Sequence, residues 1–169
     1  MSDLIFTTTA GKKLVLTAVT DLLDRFVQSA DQPEAGGILL GRTLLSSGDV
    51  IVDSITTPMD GDKQSRFSFF RSKKKHQKAI DQTWEESKKT CNYLGEWHTH
   101  PEDFPSPSGT DMKNWKKRLT DDFADDLFLY FVIVGTKAVH VWEGSRNTGN
   151  IVQLSQLHTP IPDVENQDS

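Results

Sequence analysis

Hydrophobic positions along this chain fall into two spacings. Alternating or continuous apolar runs predict strands at residues 4–8 and 13–16 about a turn at Gly11, at 36–44 and 51–57 across the Ser46-Ser47-Gly48 turn, and at 66–70. Further strands are expected at 93–99, 127–135, 138–143 and 151–157. Between them apolar residues recur at helical spacing. Val19, Leu22, Leu23, Phe26 and Val27 mark one face of a helix over 17–29, Ala79, Ile80 and Trp84 mark the inner face of another over 73–89, and a third is expected from about Gly109 to Leu119. The polar stretch 59–65, with Asp60-Gly61-Asp62, reads as a loop. Three prolines in the seven residues 101–107 make a stiff connection. Strands and helices thus interleave around one sheet without an internal repeat, which predicts an α/β class, a single domain over 1–157, and a flexible acidic C-terminal tail over 158–169.

Composition narrows the functional classes. A net charge of -5 over 169 residues argues against a general nucleic-acid coat, so no nucleic-acid partner is expected. The longest apolar run, 127–134, is too short for a membrane-spanning helix, and the first residues carry neither a basic region nor a long apolar run, so no membrane partner is expected either. The single cysteine, Cys91, cannot form an internal disulfide, and a cytoplasmic location follows as the expectation. Its parity along the strand is odd relative to the histidines, which reads as a small buried residue turned away from them rather than a nucleophile. His140, between two valines, reads as a packing or surface residue, and Trp97 and Trp115 as core or groove-wall residues. Lys73, Lys74 and Lys75, with Arg66, Arg71 and Lys78, form the one basic cluster. It reads as a solvated helix face or, because cations at a helix start oppose its dipole, as a docking patch for an acidic partner.

The chemistry concentrates after residue 95. His98 and His100 stand at i and i+2 of a strand and project from one face, so two imidazoles converge on one point. Neutral imidazole suits zinc, and a catalytic zinc site has three protein ligands and an open position. Asp111, eleven residues past His100 in the first turn of the expected helix, can be folded back by the proline-rich segment as the third, anionic ligand. Ser108 stands three residues before it, the spacing of a helix cap, and its hydroxyl either caps the helix or faces the metal to stabilise an oxyanion.

The run Gly95-Glu96-Trp97-His98-Thr99-His100-Pro101 followed by Ser108-Gly109-Thr110-Asp111 resembles the JAMM metalloprotease signature of MPN-domain proteins: His-x-His, seven residues, Ser, two residues, Asp. The upstream run from Glu34 through Ala35-Gly36-Gly37 to Arg42 is similar to the family's glutamate-bearing strand, and the likeness spans about residues 33–131. The resemblance implies an MPN fold, cytidine-deaminase-like, with a central mixed, twisted sheet flanked by helices. It also implies one zinc ion held by His98, His100 and Asp111, Glu34 as general acid/base toward the attacking water, and Ser108 as stabiliser of the tetrahedral intermediate. One departure is Glu96, where eukaryotic members carry an aromatic residue; it shares a face with the histidines and competes with Glu34 as the base. The short form is most similar to stand-alone bacterial members, which occur beside E1-like and E2-like conjugation enzymes in anti-phage systems such as CBASS. The implied activity is isopeptidase or endopeptidase cleavage after the C-terminus of a ubiquitin-like protein, or of a nucleotidyltransferase joined to a target amine. Processing of a sulfur-carrier C-terminus and a non-catalytic MPN scaffold are the alternatives.

Overall fold

Apolar residues at every position from Leu129 to Val134 require cover on both faces of a sheet. The structure, a computed structural model, describes residues 3–17, 20–29, 31–65, 68–122 and 127–158. Its N-terminal elements are β1 (Leu4–Thr7), β2 (Lys13–Leu16), α1 (Thr20–Asp24), β3 (Gly36–Thr43), β4 (Val50–Ile55), β5 (Lys63–Ser65) and β6 (Ser68–Phe70). There follow α2 (Lys73–Glu86), β7 (Asn92–Thr99), α3 (Gly109–Asp121), β8 (Phe128–Val134), β9 (Val139–Ser145), β10 (Ile151–Gln153) and β11 (Ser155–Leu157). The main sheet runs β10-β9-β8-β7-β3-β4-β2-β1-β11, parallel between β7 and β8 and between β2 and β4, antiparallel elsewhere. Along β8, Leu129, Phe131 and Ile133 pack with Ile38, Leu40 and Trp115 under α2 and α3. Tyr130, Val132 and Val134 pack with Leu39, Leu94 and Trp97 on the other face, which Leu23 of α1 joins. The mixed sheet flanked by helices is the α/β architecture expected. No helix among the described residues is long and apolar enough to cross a membrane.

Three elements differ from expectation. The strand expected over 151–157 is two strands broken at Leu154: β10 pairs with β9, whereas β11 pairs with β1 at the opposite end of the sheet order. Successive Cα atoms are about 3.8 Å apart, so one residue spans the gap only if the sheet curls until its edges meet. Leu154 is buried at that seam and donates its N–H to Val141 O at 2.8 Å. The helix expected over 17–29 stops at Asp24, and the chain continues in tight turns in which Phe26 N and Val27 N donate to Leu23 O and Asp24 O. Apolar spacing there reports burial rather than helix length, because the Gln28 side chain, 1% exposed, turns inward to bond Gln32 O and Thr99 Oγ1. Val19 and the side chain of Leu22 lie outside the described residues. Finally, part of the loop expected over 59–65 is β5, which pairs with β6 in a separate small sheet.

A β-bulge sets which way the functional residues of β7 face. Its register against β3 jumps from Leu39↔Gly95 to Leu40↔Tyr93, leaving Leu94 as the extra residue. Gly95 has φ +145°, and a Cβ there would lie 1.7 Å from Tyr130 O. Because of the bulge, strict alternation fails across it: Cys91 and Tyr93 pack in the same cluster as Trp115, while Leu94 and Trp97 occupy the other. Cys91 is therefore buried as expected, but on the face it was expected to leave. Burial pushes its thiol up, which suits an inert core residue. Replacing Gly95 by Ala is expected to destabilise the protein by about 3 kcal/mol or more, from strain and overpacking together. Urea unfolding reads this directly; a variant within about 1 kcal/mol of the parent would remove the close approach from the account.

Candidate metal centre

His98 and His100 project from the C-terminal end of β7, their Nε2 atoms 3.1 Å apart. Asp111 Oδ2 completes a triangle, 3.4 Å from His98 Nε2 and 3.1 Å from His100 Nε2. Among the described residues, these three form a cluster of donor atoms close enough to share one metal ion. Tetrahedral ligands about 2.0–2.1 Å from zinc are about 3.3 Å from one another, so the triangle has the size of one face of such a centre. The donor set, two imidazoles and one carboxylate, also has the chemistry of a site that keeps a coordination position open.

The chain aims Asp111 by two devices. In the connection 101–107, Glu102 O and Asp103 O accept from Thr136 N and Lys137 N in the turn after β8, at 2.8 and 3.1 Å. His140 Nδ1 donates to Pro105 O at 2.9 Å, so the residue read as packing or surface is a strut for this segment. At the start of α3 a complete capping box forms: Ser108 Oγ accepts from Asp111 N at 3.1 Å, and Asp111 Oδ2 accepts from Ser108 N at 2.8 Å. The oxygen held by the cap is the one that faces the imidazoles, and capping and alignment are thus one arrangement. Burial opposes the Asp111 charge, but hydrogen bonds from His100, His98 and Ser108 N hold its carboxyl well below the usual range. Ser108 caps the helix as an acceptor, which leaves its hydroxyl proton available for donation.

His100 is oriented from behind. Its Nδ1 lies 3.1 Å from Glu102 Oε1, and a proton held there would leave the Nε2 lone pair facing the triangle once a metal replaced the Nε2 proton. Glu34, 4% exposed, stands with Oε1 3.5 Å from His100 Nε2. Its place is fixed by the next residue, since Ala35 N donates to Thr99 Oγ1 at 3.0 Å and Ala35 O accepts from Thr99 N at 2.9 Å. Burial pushes the Glu34 carboxyl up to about 7, although His98 and His100 pull it down. Glu34, His98, Asp111, Asn114 and Trp115 line one small groove.

Glu96 also reaches the rim of that groove, but it is engaged elsewhere. Arg71 Nη2 lies 3.3 Å from Glu96 Oε1 and 3.0 Å from Asp122 Oδ2; Arg118 pairs with Asp122 at 3.2 Å, and Tyr93 donates its hydroxyl to Asp122 at 2.6 Å. Of the two glutamates, Glu34 is thus the one beside the imidazoles, and Glu96 belongs to an arginine network. This network also removes Arg71 from the basic cluster, whose Lys73, Lys74, Lys75 and Lys78 are exposed; Arg66 lies outside the described residues. The acid that compensates the start of α2 comes from within the chain, because Asp62 accepts the Ser72 N–H. His76, not singled out from the sequence, is the one buried residue of α2. Its spacing from Ala79, Ile80 and Trp84 puts it on the same inner face, and that was the signal available.

Residues 17–147 match the family model for prokaryotic homologs of the JAB domain. A Pseudomonas aeruginosa protein named CD-NTase/cGAS isopeptidase is 39% identical over 116 residues, 68% of this chain and 72% of that protein. A Vibrio cholerae protein of the same name is 36% identical over 127 residues, 75% of this chain and 76% of its own length. The solution structure of a Desulfitobacterium hafniense protein superposes with a TM-score of 0.55 at 19% identity, covering 82% of this chain and 87% of that one, a likeness of fold.

Proposed function

The chain belongs to the prokaryotic JAB-domain family, and from that premise we propose that it is a zinc-dependent isopeptidase with Glu34 and Ser108 as its catalytic side chains. The observation that carries the reading is the triangle of His98, His100 and Asp111, 3.1 to 3.4 Å on a side, with the Glu34 carboxylate beside it. The name of its relatives, CD-NTase/cGAS isopeptidase, supports an isopeptide bond to a nucleotidyltransferase. The resemblance of the signature adds the finer reading, a bond after the C-terminus of that protein or of a ubiquitin-like protein, joined to a target amine. Release of such a conjugate would oppose E1-like and E2-like conjugation enzymes in anti-phage defence.

The two imidazoles and the carboxylate would hold zinc, which would supply Lewis acidity toward the scissile carbonyl and a water. Glu34 then acts twice. Its carboxylate takes a proton as the water oxygen bonds to the carbonyl carbon, and its carboxyl returns that proton to the amine nitrogen as the C–N bond breaks. Burial assists the first transfer, because it raises the affinity of the Glu34 carboxyl for a proton. Ser108 Oγ, placed by the cap, donates to the oxygen on which negative charge develops. Glu102 keeps the His100 proton on Nδ1, so the imidazole stays a donor of its Nε2 lone pair.

The test offers the metal-loaded protein a nucleotidyltransferase, or a ubiquitin-like protein, fused through its C-terminus to an amine-linked reporter, with and without chelator. Release of the reporter that stops on chelation and returns with zinc is the expected result. Saturable binding without release would replace this reading with a scaffold, and cleavage confined to a sulfur-carrier C-terminus would reassign the substrate.

A further inference from the structure

Outside the metal centre, the described residues hold a polar chain of three buried side chains. His76 is fully buried on α2. Its Nε2 lies 2.9 Å from Asp62 Oδ2, and its Nδ1 lies 2.7 Å from Thr56 Oγ1. The Asp62 side chain is 1% exposed and also accepts the N–H groups of Met59 and Ser72. With the carboxylate only accepting, His76 carries its proton on Nε2, and Thr56 donates its hydroxyl to Nδ1. The Thr56 oxygen then accepts Ile38 N–H at 2.9 Å, and every group in the chain has a partner. This is not a nucleophilic triad: the Thr56 hydroxyl is buried and both its donor and its acceptor are in use.

What Thr56 touches gives the chain its meaning. Besides the hydroxyl bond, Thr56 N donates to Ile38 O at 3.0 Å, and Thr56 O accepts from Trp97 Nε1 at 2.8 Å. Ile38 lies four residues after Glu34, and Trp97 immediately precedes His98. Between Ala35 and Ile38 stand Gly36 and Gly37, the softest backbone in β3. Gly37 admits no side chain, since a Cβ there would lie 2.1 Å from Thr56 O. Gly36 and Gly37 pair with His98 and Trp97 in the ladder to β7, and side-chain anchors hold the strand on both sides of them. Thr99 clamps it at Ala35 and Thr56 clamps it at Ile38. A buried acid–histidine pair loses its hydration, and apolar side chains of equal volume would fill the space at least as well.

We propose that Thr56, His76 and Asp62 are positioning residues, which hold the β3 and β7 ends in one register and thereby fix Glu34 and His98 relative to each other; this rests on the isopeptidase reading for its kinetic consequence. Thr56→Val keeps the shape but removes the hydroxyl that Ile38 N–H and His76 both need. Thr56→Ser restores the hydroxyl and loses only a methyl group. The experiment measures kcat, KM and zinc affinity by chelator competition for the parent and both variants. Thr56→Val is expected to lower kcat about tenfold with KM within about twofold, and to weaken zinc binding several-fold, while Thr56→Ser recovers both. The ring nitrogen shifts of His76 add a spectroscopic signature, an Nδ1 that is hydrogen-bonded to a hydroxyl in the parent and Thr56→Ser and loses that partner in Thr56→Val. If Thr56→Val keeps parental kcat and zinc affinity, or Thr56→Ser is as impaired as Thr56→Val, the positioning role is overturned and the cluster is packing alone. A parent that releases nothing from any conjugate overturns the isopeptidase reading instead, and the zinc affinities of the same three proteins still decide the positioning.

Discussion

Glu34→Gln is expected to lower kcat by about a thousandfold while leaving the fold and the bound metal in place, the loss typical of removing a general acid/base. The amide has nearly the carboxyl's volume and still hydrogen-bonds, so groove shape and KM change little. It cannot take the proton from water or hand it to the leaving amine. Glu96→Gln is the companion measurement, because both glutamates reach the same groove. Glu96 is paired with Arg71, which holds its oxygen in the arginine network rather than at the imidazoles. Its variant should keep kcat within about tenfold, with the loss traced to the arginine network rather than to proton transfer. Full turnover in Glu34→Gln together with an inactive Glu96→Gln would exchange the two roles.

How far the sequence alone reaches depends on whether a feature is local. The His-x-His pair is legible because period two on a strand is a local rule, and Asp111 because a cap spacing and a proline-stiffened connection are local too. The sheet is legible for the same reason, since β8 announces two buried faces by being apolar throughout. What fails is set by partners distant in sequence. Alternation across Gly95 breaks because the bulge forms against Leu39 and Tyr130, and only the glycine hints at it. The break at Leu154 depends on the two sheet edges meeting, which no window of residues contains. Arg71 reads as one more cation beside three lysines, although Glu96 and Asp122, 25 and 51 residues away, withdraw it from the surface. Glu34 lies in between: it is one of the chain's 24 acidic residues, and it becomes a candidate only through the glycine-rich strand that follows it.

Exchanging Asp111 for Asn should produce the other large effect, loss of the metal itself. The isostere retains a carbonyl oxygen for Ser108 N, so the cap and the start of α3 persist, but the one anionic donor is gone. Zinc affinity is expected to fall more than about a hundredfold, beyond the cost of losing an outer hydrogen-bond partner, and turnover falls with it. The pH dependence makes this specific. In the metal-free site, burial pushes His100 down, but Asp111, Glu34 and Glu102 outweigh it and raise its pKa. A raised histidine stabilises the fold at low pH, and this contribution is lost as pH climbs through the folded-state value. Glu34, raised to about 7, acts in the same direction, being favoured in its protonated form from its ordinary value of 4.5 upward. The stripped site therefore becomes less stable toward pH 8. Metal binding has the opposite slope, because it requires the neutral imidazole and an ionised carboxylate and releases protons. The difference in Tm between zinc-loaded and chelator-stripped protein should thus widen from about pH 5 to about pH 8. At a thousandfold excess of free zinc over Kd it reaches about 4 kcal/mol, roughly 8–16 °C for a chain of this size. In Asp111→Asn the same free zinc stands at about tenfold its Kd or less, so the difference should shrink to about 1.4 kcal/mol or less at every pH. A gap that is independent of pH, or one that the substitution leaves undiminished, would mean that zinc binds somewhere other than these three donors.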